Sequence, residues 1–361
     1  MSEPQKTPLY DLHVELGGKM VDFAGWMMPV NYPAGVAAEH KHCRGKAALF
    51  DVSHMGQVEL RGENVAGKLE SLCPSSFRTL PEGKARYTFF TNPEGGIMDD
   101  LIVANAGDHF FVVVNASMRD QDINHMKRLD IEVKELSRAL IAVQGPAAEA
   151  IVATHAPIAA KLKFMQTALA EINGVEVRLS RLGYTGEDGY EISIPEDKVV
   201  EITRLLLEHP DLAPAGLGAR DSLRLEAGLC LYGNDIDNST SPVEANLTWA
   251  MQKKRREEGG FPGEERILRE LSEGPARKLV GIKPEGRAPA RRGVEVADEA
   301  GNIIGSITSG GFGPSFGGPI SMGYVNADMA IPGHAVTLLI RGKPRPATVI
   351  KLPFVAQNYK R

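Results

Sequence analysis

Two kinds of hydrophobic periodicity are interleaved along this chain of 361 residues. Some apolar runs alternate with a period of two, as strands do, whereas other stretches repeat with the spacing of a helix face. The regular strand-helix-strand alternation of a parallel, doubly wound sheet is missing. The pattern therefore predicts the α+β class. With 43% hydrophobic and 24% charged residues, the composition is that of a folded, soluble protein.

A β-hairpin is the clearest single element of the sequence. Residues 87–91 and 97–104 are apolar, strand-forming runs, and the Asn-Pro-Glu-Gly-Gly cluster at 92–96 forms the turn between them. The same reasoning predicts further elements, namely strands at 110–114, 175–179 and 190–194, and helices at 118–129, 147–153, 198–208 and 219–230.

The chain changes character between Trp249 and Lys278. This stretch contains the charge run 253–258, a Gly-Gly pair and Pro262. Beyond it, Gly and Pro separate six short predicted strands, at 279–282, 293–296, 303–308, 320–324, 335–340 and 347–350. Such spacing is typical of a small all-β barrel or sandwich. We therefore divide the chain into a body of residues 1–274, built from two interleaved α+β lobes, and a C-terminal all-β domain of residues 275–361.

The charge balance says little about partners. The chain has 41 Lys and Arg residues against 46 Asp and Glu residues, which gives a formal net charge of -5. This mildly acidic total predicts no nucleic-acid partner. The basic run at 253–256 is interpreted as a solvated loop, because two glutamates follow it directly.

The cysteines and the N-terminal residues bear on location. Cys43, Cys73 and Cys230 are odd in number, widely spaced and without a CxxC pair, which argues against disulfides and against a thiolate metal site. The N-terminal residues lack the apolar core of a signal peptide, and no stretch has membrane-spanning length. We expect a cytoplasmic protein with no metal and no membrane partner.

Two adjacent carboxylates lie in the second strand of the hairpin. Side chains alternate along a strand, so Asp99 and Asp100 point to opposite faces and are not an acid/base dyad. Each has apolar neighbours on its own face, and burying an unpaired carboxylate costs several kcal/mol or more. One of them is therefore expected to face a ligand cavity or a fixed cation. The alternatives are an edge strand on which both acids are solvated, or a turn that one of the acids caps.

A glycine-rich loop at 183–189 leads into another strand with a glutamate. Glu191 lies on the face opposite Tyr190 and Ile192. A fixed carboxylate accepts two parallel hydrogen bonds from a ring N–H and an adjacent amine, which is how the edge of a pterin is held. A solvated strand glutamate is the alternative interpretation.

Two arginines lie four residues apart on the predicted helix at 219–230. Arg220 and Arg224 therefore stack on one helix face, an arrangement that suits an anionic substrate tail. They can equally well pair with Asp221 and Glu226 and serve only the structure.

Seven segments, in order over nearly the whole chain, resemble a known family. They are DFAGW at 22–26, FDVSHMG at 50–56, GGIMDDLIV at 95–103, QGP at 144–146, GYTGEDGYEI at 183–192, GLGARDSLRLEAGLCLYG at 216–233 and ITSGGFGPSFG at 307–317. The family that carries similar segments is aminomethyltransferase, the T-protein of the glycine cleavage system.

The resemblance implies a fold and an activity. The fold is a three-domain cloverleaf around a central channel for tetrahydrofolate, with a C-terminal β-barrel. The activity moves the one-carbon unit from the aminomethyl-dihydrolipoyl arm of lipoylated H-protein to tetrahydrofolate, which releases ammonia and gives 5,10-methylenetetrahydrofolate. Related possibilities are a folate-dependent demethylase acting on a small methylated compound and a non-catalytic folate-binding protein.

The resemblance also implies roles for individual residues. The essential aspartate of the family matches Asp100, and its pterin-binding glutamate matches Glu191. The other folate-pocket positions that match are Met55, Tyr87, Asn115, Tyr184, Arg220 and Trp249. The segment 163–166 departs from the aromatic-rich sequence of some relatives, so no pocket contact is assigned to it.

Overall fold

The computed structural model describes residues 3–361. Within that range the chain forms twenty strands: β1 (Gln5–Lys6), β2 (Lys19–Phe23), β3 (Trp26–Asn31), β4 (Ala47–Asp51), β5 (Gly56–Arg61), β6 (Lys84–Thr91), β7 (Ile97–Asn105), β8 (Phe110–Val114), β9 (Glu132–Glu135), β10 (Arg138–Gln144), β11 (Gln166–Ile172), β12 (Val175–Arg181), β13 (Gly189–Pro195), β14 (Leu212–Pro214), β15 (Arg277–Pro284), β16 (Glu295–Ala297), β17 (Ile303–Gly313), β18 (Gly318–Asn326), β19 (Ala335–Ile340) and β20 (Lys343–Ile350).

The same range of residues, 3–361, forms nine α-helices: α1 (Tyr10–Glu15), α2 (Val36–Gly45), α3 (Val65–Glu70), α4 (Arg119–Lys127), α5 (Ala148–His155), α6 (Val199–Leu207), α7 (Leu217–Glu226), α8 (Lys253–Glu258) and α9 (Glu264–Glu273). In this described part of the chain, no helix combines the length and the apolar character that crossing a membrane requires.

The strands form three sheets. A small sheet has the order β1-β3-β2, and an eleven-stranded sheet has the order β14-β4-β10-β13-β12-β11-β6-β7-β8-β5-β9. Strands β15 to β20 close into a barrel in the order β15-β18-β17-β16-β19-β20. The predicted α+β class with a C-terminal barrel is confirmed.

Three apolar cores define three lobes. The first core lies between strands β10 to β13 and helices α5 and α6, and it includes Ile141 and Ile202. The second lies between strands β5, β7 and β8 and helices α3 and α4, and it includes Leu101 and Ile123. The third fills the barrel and includes Ile282. Each core is the inner face of strands whose side chains alternate.

The opposite face of the large sheet forms a fourth core. Leu140 of β10 and Val113 of β8 both belong to it, although their strands lie in different lobes. The sheet is therefore curved, so that its two halves face each other. Helix α7 covers this concave face with Ala219 and Leu223.

The barrel is joined to the body by a buried polar cluster around Asp235. Its carboxylate accepts hydrogen bonds from Thr308 Oγ1 at 2.5 Å and Ser309 Oγ at 2.9 Å, both on β17. It also pairs with Arg224 of α7 at 2.8 Å. The barrel strands begin at Arg277, and the division of the chain between residues 274 and 275 remains our proposal for the domain boundary.

One local prediction is wrong. The basic run at 253–256 lies in helix α8 rather than in a solvated loop. The reason is Arg255, which is only 8% exposed and donates from Nη2 to the carbonyls of Glu70 at 2.6 Å and Gly260 at 3.1 Å. These bonds anchor the charged segment to the second lobe.

Candidate active site

The hairpin of β6 and β7 carries the two adjacent carboxylates. Strand β7 lies between β6 and β8, so the interpretation as an edge strand is wrong. Asp99 is fully buried and faces the same side of the sheet as the second core. Asp100 is half-buried and shares the concave face with Ile102 and Ala104. Alternation along the strand therefore separates the two acids, as predicted.

Two neutral donors hold the Asp100 carboxylate. The hydroxyl of Tyr87 donates to Oδ2 at 3.0 Å, and Nδ2 of Asn115 donates to Oδ1 at 3.0 Å. The same nitrogen lies 2.9 Å from Oδ1 of Asp99. Burial, and next the charge of Asp99, raise the pKa of Asp100 to about 7. A carboxyl with this pKa exchanges a proton readily near neutral pH.

An aromatic wall lies next to Asp100. The ring of Tyr87 stacks on Trp249, with ring centroids 5.3 Å apart and an interplanar angle of 21°. Trp249 is nevertheless 66% exposed. The stacked pair therefore places an exposed indole ring next to the half-buried carboxyl of Asp100, where this face of the protein meets solvent.

Glu191 lies on the opposite half of the concave face. Strand β13 pairs with β10 and β12, and Glu191 is opposite Ala142 and Ser180. Its side chain is largely buried, and it lines a cavity together with Ile102 of β7. Within residues 3–361 no side chain or backbone N–H forms a hydrogen bond with its carboxylate. Burial raises the pKa of Glu191, an effect that the positive charge of Arg220 opposes. The solvated-strand interpretation is thereby excluded.

The structure separates the two arginines of α7. Arg224 is fully engaged with the protein, since it pairs with Asp221 at 2.8 Å and with Asp235 at 2.8 Å. The Arg220 guanidinium instead lies 5.0 Å from the ring centroid of Tyr184, and its buried Nη1 forms no hydrogen bond with residues 3–361. Arg220 therefore retains donors for a ligand, whereas Arg224 is structural.

Tyr184 and Met55 complete the surroundings. The hydroxyl of Tyr184 donates to the carbonyl of Cys230, which fixes the ring beneath Arg220. Met55 follows β4 and packs against the concave core, as does Ile102. The structure thus brings Met55, Tyr87, Asp100, Asn115, Tyr184, Glu191, Arg220 and Trp249 around one side of the large sheet; which of them contact a ligand remains a prediction.

Sequence reasoning missed several neighbours of this region. Phe164 and Met165 pack against the concave core, although no contact was assigned to their segment. Tyr359 stacks on Phe164 with ring centroids 4.1 Å apart, so the C-terminal residues return to the first lobe. Arg178 lines the same cavity as Glu191. Alternation along β12 places Arg178 on the face of Ser180, and this was the one local indication available.

The arrangement offers two carboxylates with different properties. Asp100 has neutral hydrogen-bond donors and a pKa near 7, so it is suited to proton transfer. Glu191 retains free acceptors and has the cationic Arg220 nearby, so it is suited to binding a donor edge of a ligand. Among residues 3–361, no group of three His, Cys, Asp or Glu side chains is arranged to hold a metal ion.

Relatives of known name extend over the whole chain. "Aminomethyltransferase, mitochondrial" of Dictyostelium discoideum is 44% identical over 382 residues, which covers 100% of this chain and 94% of that protein. The protein of the same name from Pisum sativum is 44% identical over 373 residues, covering 99% and 91%. The crystal structure of the glycine cleavage system aminomethyltransferase T from Bartonella henselae has a TM-score of 0.94 at 42% identity and covers 99% of both chains.

These names bear on location. The curated relatives are named mitochondrial proteins, which contradicts the expected cytoplasmic location, and that prediction is withdrawn. Its physical basis was insufficient, because cysteine usage reports the redox environment and does not distinguish one reducing compartment from another.

Two family descriptions match the chain. Residues 9–255 match the "GCVT N-terminal domain", and residues 277–356 match the "Glycine cleavage T-protein C-terminal barrel domain". Together with the identity of at least 42% to full-length relatives, these matches cover the body and the barrel. The chain therefore belongs to the aminomethyltransferases, the T-protein family of the glycine cleavage system.

Proposed function

We propose that this aminomethyltransferase takes the one-carbon unit from the aminomethyl-dihydrolipoyl arm of H-protein and transfers it to tetrahydrofolate, with release of ammonia and formation of 5,10-methylenetetrahydrofolate. The observation that carries this proposal is the placement of Asp100 and Glu191 on the two facing halves of one curved sheet. One acid is suited to proton transfer and the other to binding.

The residues present fit a pterin. The edge of a pterin carries a ring N–H next to an exocyclic amine, and the Glu191 carboxylate offers two acceptors that no residue within 3–361 occupies. The cavity that Glu191 lines is otherwise largely apolar, with Leu140 and Leu182 among its walls. The free Nη1 of Arg220 supplies a donor for an acceptor atom of the ligand. When bound, tetrahydrofolate supplies the amine that accepts the carbon unit.

Asp100 is the proposed catalytic residue. In its ionised form it accepts a proton or a hydrogen bond from an amine on which positive charge develops, and positioned proton transfer of this kind contributes ~10²–10⁴-fold in rate. Tyr87 and Asn115 fix the carboxylate by one hydrogen bond on each oxygen. The same two bonds limit the loss of solvation when the site closes around its substrates.

The remaining residues position the reactants. Trp249 and Tyr87 present a stacked aromatic wall, Met55 adds apolar surface, and the ring of Tyr184 lies against the Arg220 guanidinium. Holding two large substrates together removes much of the entropy that separate diffusion would require. We propose that the barrel closes one side of this space, because β17 meets the body at Asp235, which lies shortly after α7.

An assay of ammonia release tests the proposed reaction. The purified chain is incubated with tetrahydrofolate and H-protein carrying the aminomethyl group. Ammonia release that requires both components supports the proposal. Turnover with a small methylated amine in place of the carrier would instead indicate a demethylase. Folate binding without turnover on either donor would indicate a non-catalytic binding protein.

A further inference from the structure

A second buried acid lies behind Asp100. Asp122 belongs to helix α4, whose Ile123 and Met126 pack in the second core together with Leu101 of β7. Asp99 points from β7 into the same core. Both carboxyl groups are fully buried, and they lie within hydrogen-bonding distance of each other.

If both acids are ionised, their four carboxylate oxygens have fewer hydrogen-bond donors around them than they can accept from. Asp99 Oδ1 accepts from Nδ2 of Asn115 at 2.9 Å. Within residues 3–361 no donor forms a hydrogen bond with Asp99 Oδ2 or with either oxygen of Asp122. Two buried carboxylates in contact cannot both carry a charge, and one proton between them supplies a hydrogen bond that joins one oxygen of each acid.

We propose that Asp99 and Asp122 share one proton, and that this pair positions Asp100 through the side chain of Asn115 while keeping a single negative charge behind the site. The proposal rests on the proposed function, in which Asp100 is the catalytic residue. Asp99 and Asp122 do not touch the substrate in this account, so they are positioning residues.

Both members of the pair have raised pKa values, as sharing one proton requires. Burial, and then the contact with Asp122, raise the pKa of Asp99 to about 9, whereas burial raises the pKa of Asp122 to about 6. The pair therefore titrates as a unit, with one proton and one negative charge near neutral pH. The other titratable groups that face the pair are Asp100 on β7 and Tyr232 in the loop after α7, and burial raises the pKa of each.

Replacement of Asp99 tests the link to Asn115. In D99N the amide imitates a protonated carboxyl, because its oxygen accepts from Asn115 and its nitrogen donates to Asp122. In D99L, a side chain of similar size, both hydrogen bonds are lost. We expect kcat to fall about tenfold in D99L with KM for folate changed less than twofold, since a lost buried hydrogen bond corresponds to a factor of roughly ten or more. D99N, which keeps both hydrogen bonds, is expected to retain most of the wild-type kcat.

The double variant D99N/D122N tests the charge. It keeps the shape of the pair but removes its negative charge. The pH at which turnover falls on the acid side should then move down by about half a unit or more, because a like charge near Asp100 has been removed. D99N should leave that pH within about 0.3 unit. D120N, an exposed acid on the same helix, is the matched control and should leave it unchanged.

Infrared spectroscopy detects the shared proton in a measurement that does not depend on enzyme activity. At pH 8 the difference spectrum of wild type minus D99N should contain the C=O stretch of a protonated carboxylic acid. The difference spectrum of wild type minus D120N should not contain this band. The proposal is overturned if that band is absent from the spectrum of wild type minus D99N. It is also overturned if the pH at which turnover falls on the acid side is the same in D99N/D122N as in wild type. Wild-type turnover in D100N would instead overturn the catalytic role proposed for Asp100, while the infrared band would still report on the pair.

Discussion

At the scale of single residues, the site depends on how burial acts on carboxylates. Asp100 lies on a strand inside the sheet, where burial raises its pKa to about 7, and its two hydrogen-bond partners are uncharged. A salt bridge would have had the opposite effect on the pKa. The environment therefore keeps Asp100 close to the midpoint of its titration near neutral pH.

The pH dependence of turnover follows from this pKa. Asp100 must be ionised to accept a proton, so kcat should rise with pH through about 7 and fall about tenfold per unit below it. Steady-state ammonia release between pH 5 and pH 9 checks this prediction. The residual kcat of D100N should not fall with pH in this range. A wild-type profile that is flat across neutral pH would contradict the assigned role.

Binding of folate is predicted to depend on Glu191. In E191Q the amide offers one acceptor and one donor where the proposed ligand edge requires two acceptors. A mismatched buried donor costs about 1–3 kcal/mol, so Kd should rise by roughly 5- to 150-fold. Calorimetry with tetrahydrofolate measures the change, and E176Q, an exposed glutamate on β12, is the control. An unchanged Kd in E191Q would remove this residue from the pocket.

At the scale of elements, sequence patterns predicted several of the elements that local periodicity determines. The hairpin of β6 and β7 and the helices α4 to α7 lie within a few residues of their predicted positions, because alternation and helical spacing are local properties. Helix α8 was missed, since its charged sequence has no apolar face. Its order depends on Arg255, whose partners Glu70 and Cys73 lie more than 180 residues away.

Arg255 is therefore expected to stabilise the fold. R255A removes a buried guanidinium that donates to backbone carbonyls, and those carbonyls then lose their partner. The free energy of unfolding should fall by about 1–3 kcal/mol. Urea unfolding followed by circular dichroism measures it, with the exposed neighbour in R256A as the control. Equal stability of R255A and wild type would show that α8 is held by other contacts.

At the scale of the whole molecule, the site is shared between parts of the chain that are distant in sequence. Asp100 comes from the second lobe and Glu191 from the first, and they lie on one concave face only because the sheet is curved. The residues alone indicated a carboxylate-rich pocket but not which acids face each other. The return of Tyr359 to Phe164 had no local pattern to reveal it, because it joins residues almost 200 positions apart.

The contact between barrel and body is expected to carry much of the stability. D235N leaves the buried Arg224 without its carboxylate and weakens the bonds to Thr308 and Ser309. Removing one partner of a buried ion pair costs about 3–5 kcal/mol. Thermal unfolding should show a lower Tm, or the barrel melting apart from the body. D298N, an acid away from this contact on the barrel surface, is the control. An unchanged melting profile in D235N would contradict the importance of this cluster.

The central claim is that Asp100 serves the transfer of the carbon unit to folate, and one comparison tests it most directly. Ammonia release from aminomethylated H-protein with tetrahydrofolate is measured for wild type, D100N and D99N, after folding of each variant has been verified. We expect D100N to lose ~10²–10⁴-fold in turnover and D99N to lose far less, because only Asp100 lies on the concave face of the sheet. Equal losses in the two folded variants, or wild-type turnover in D100N, would contradict the account.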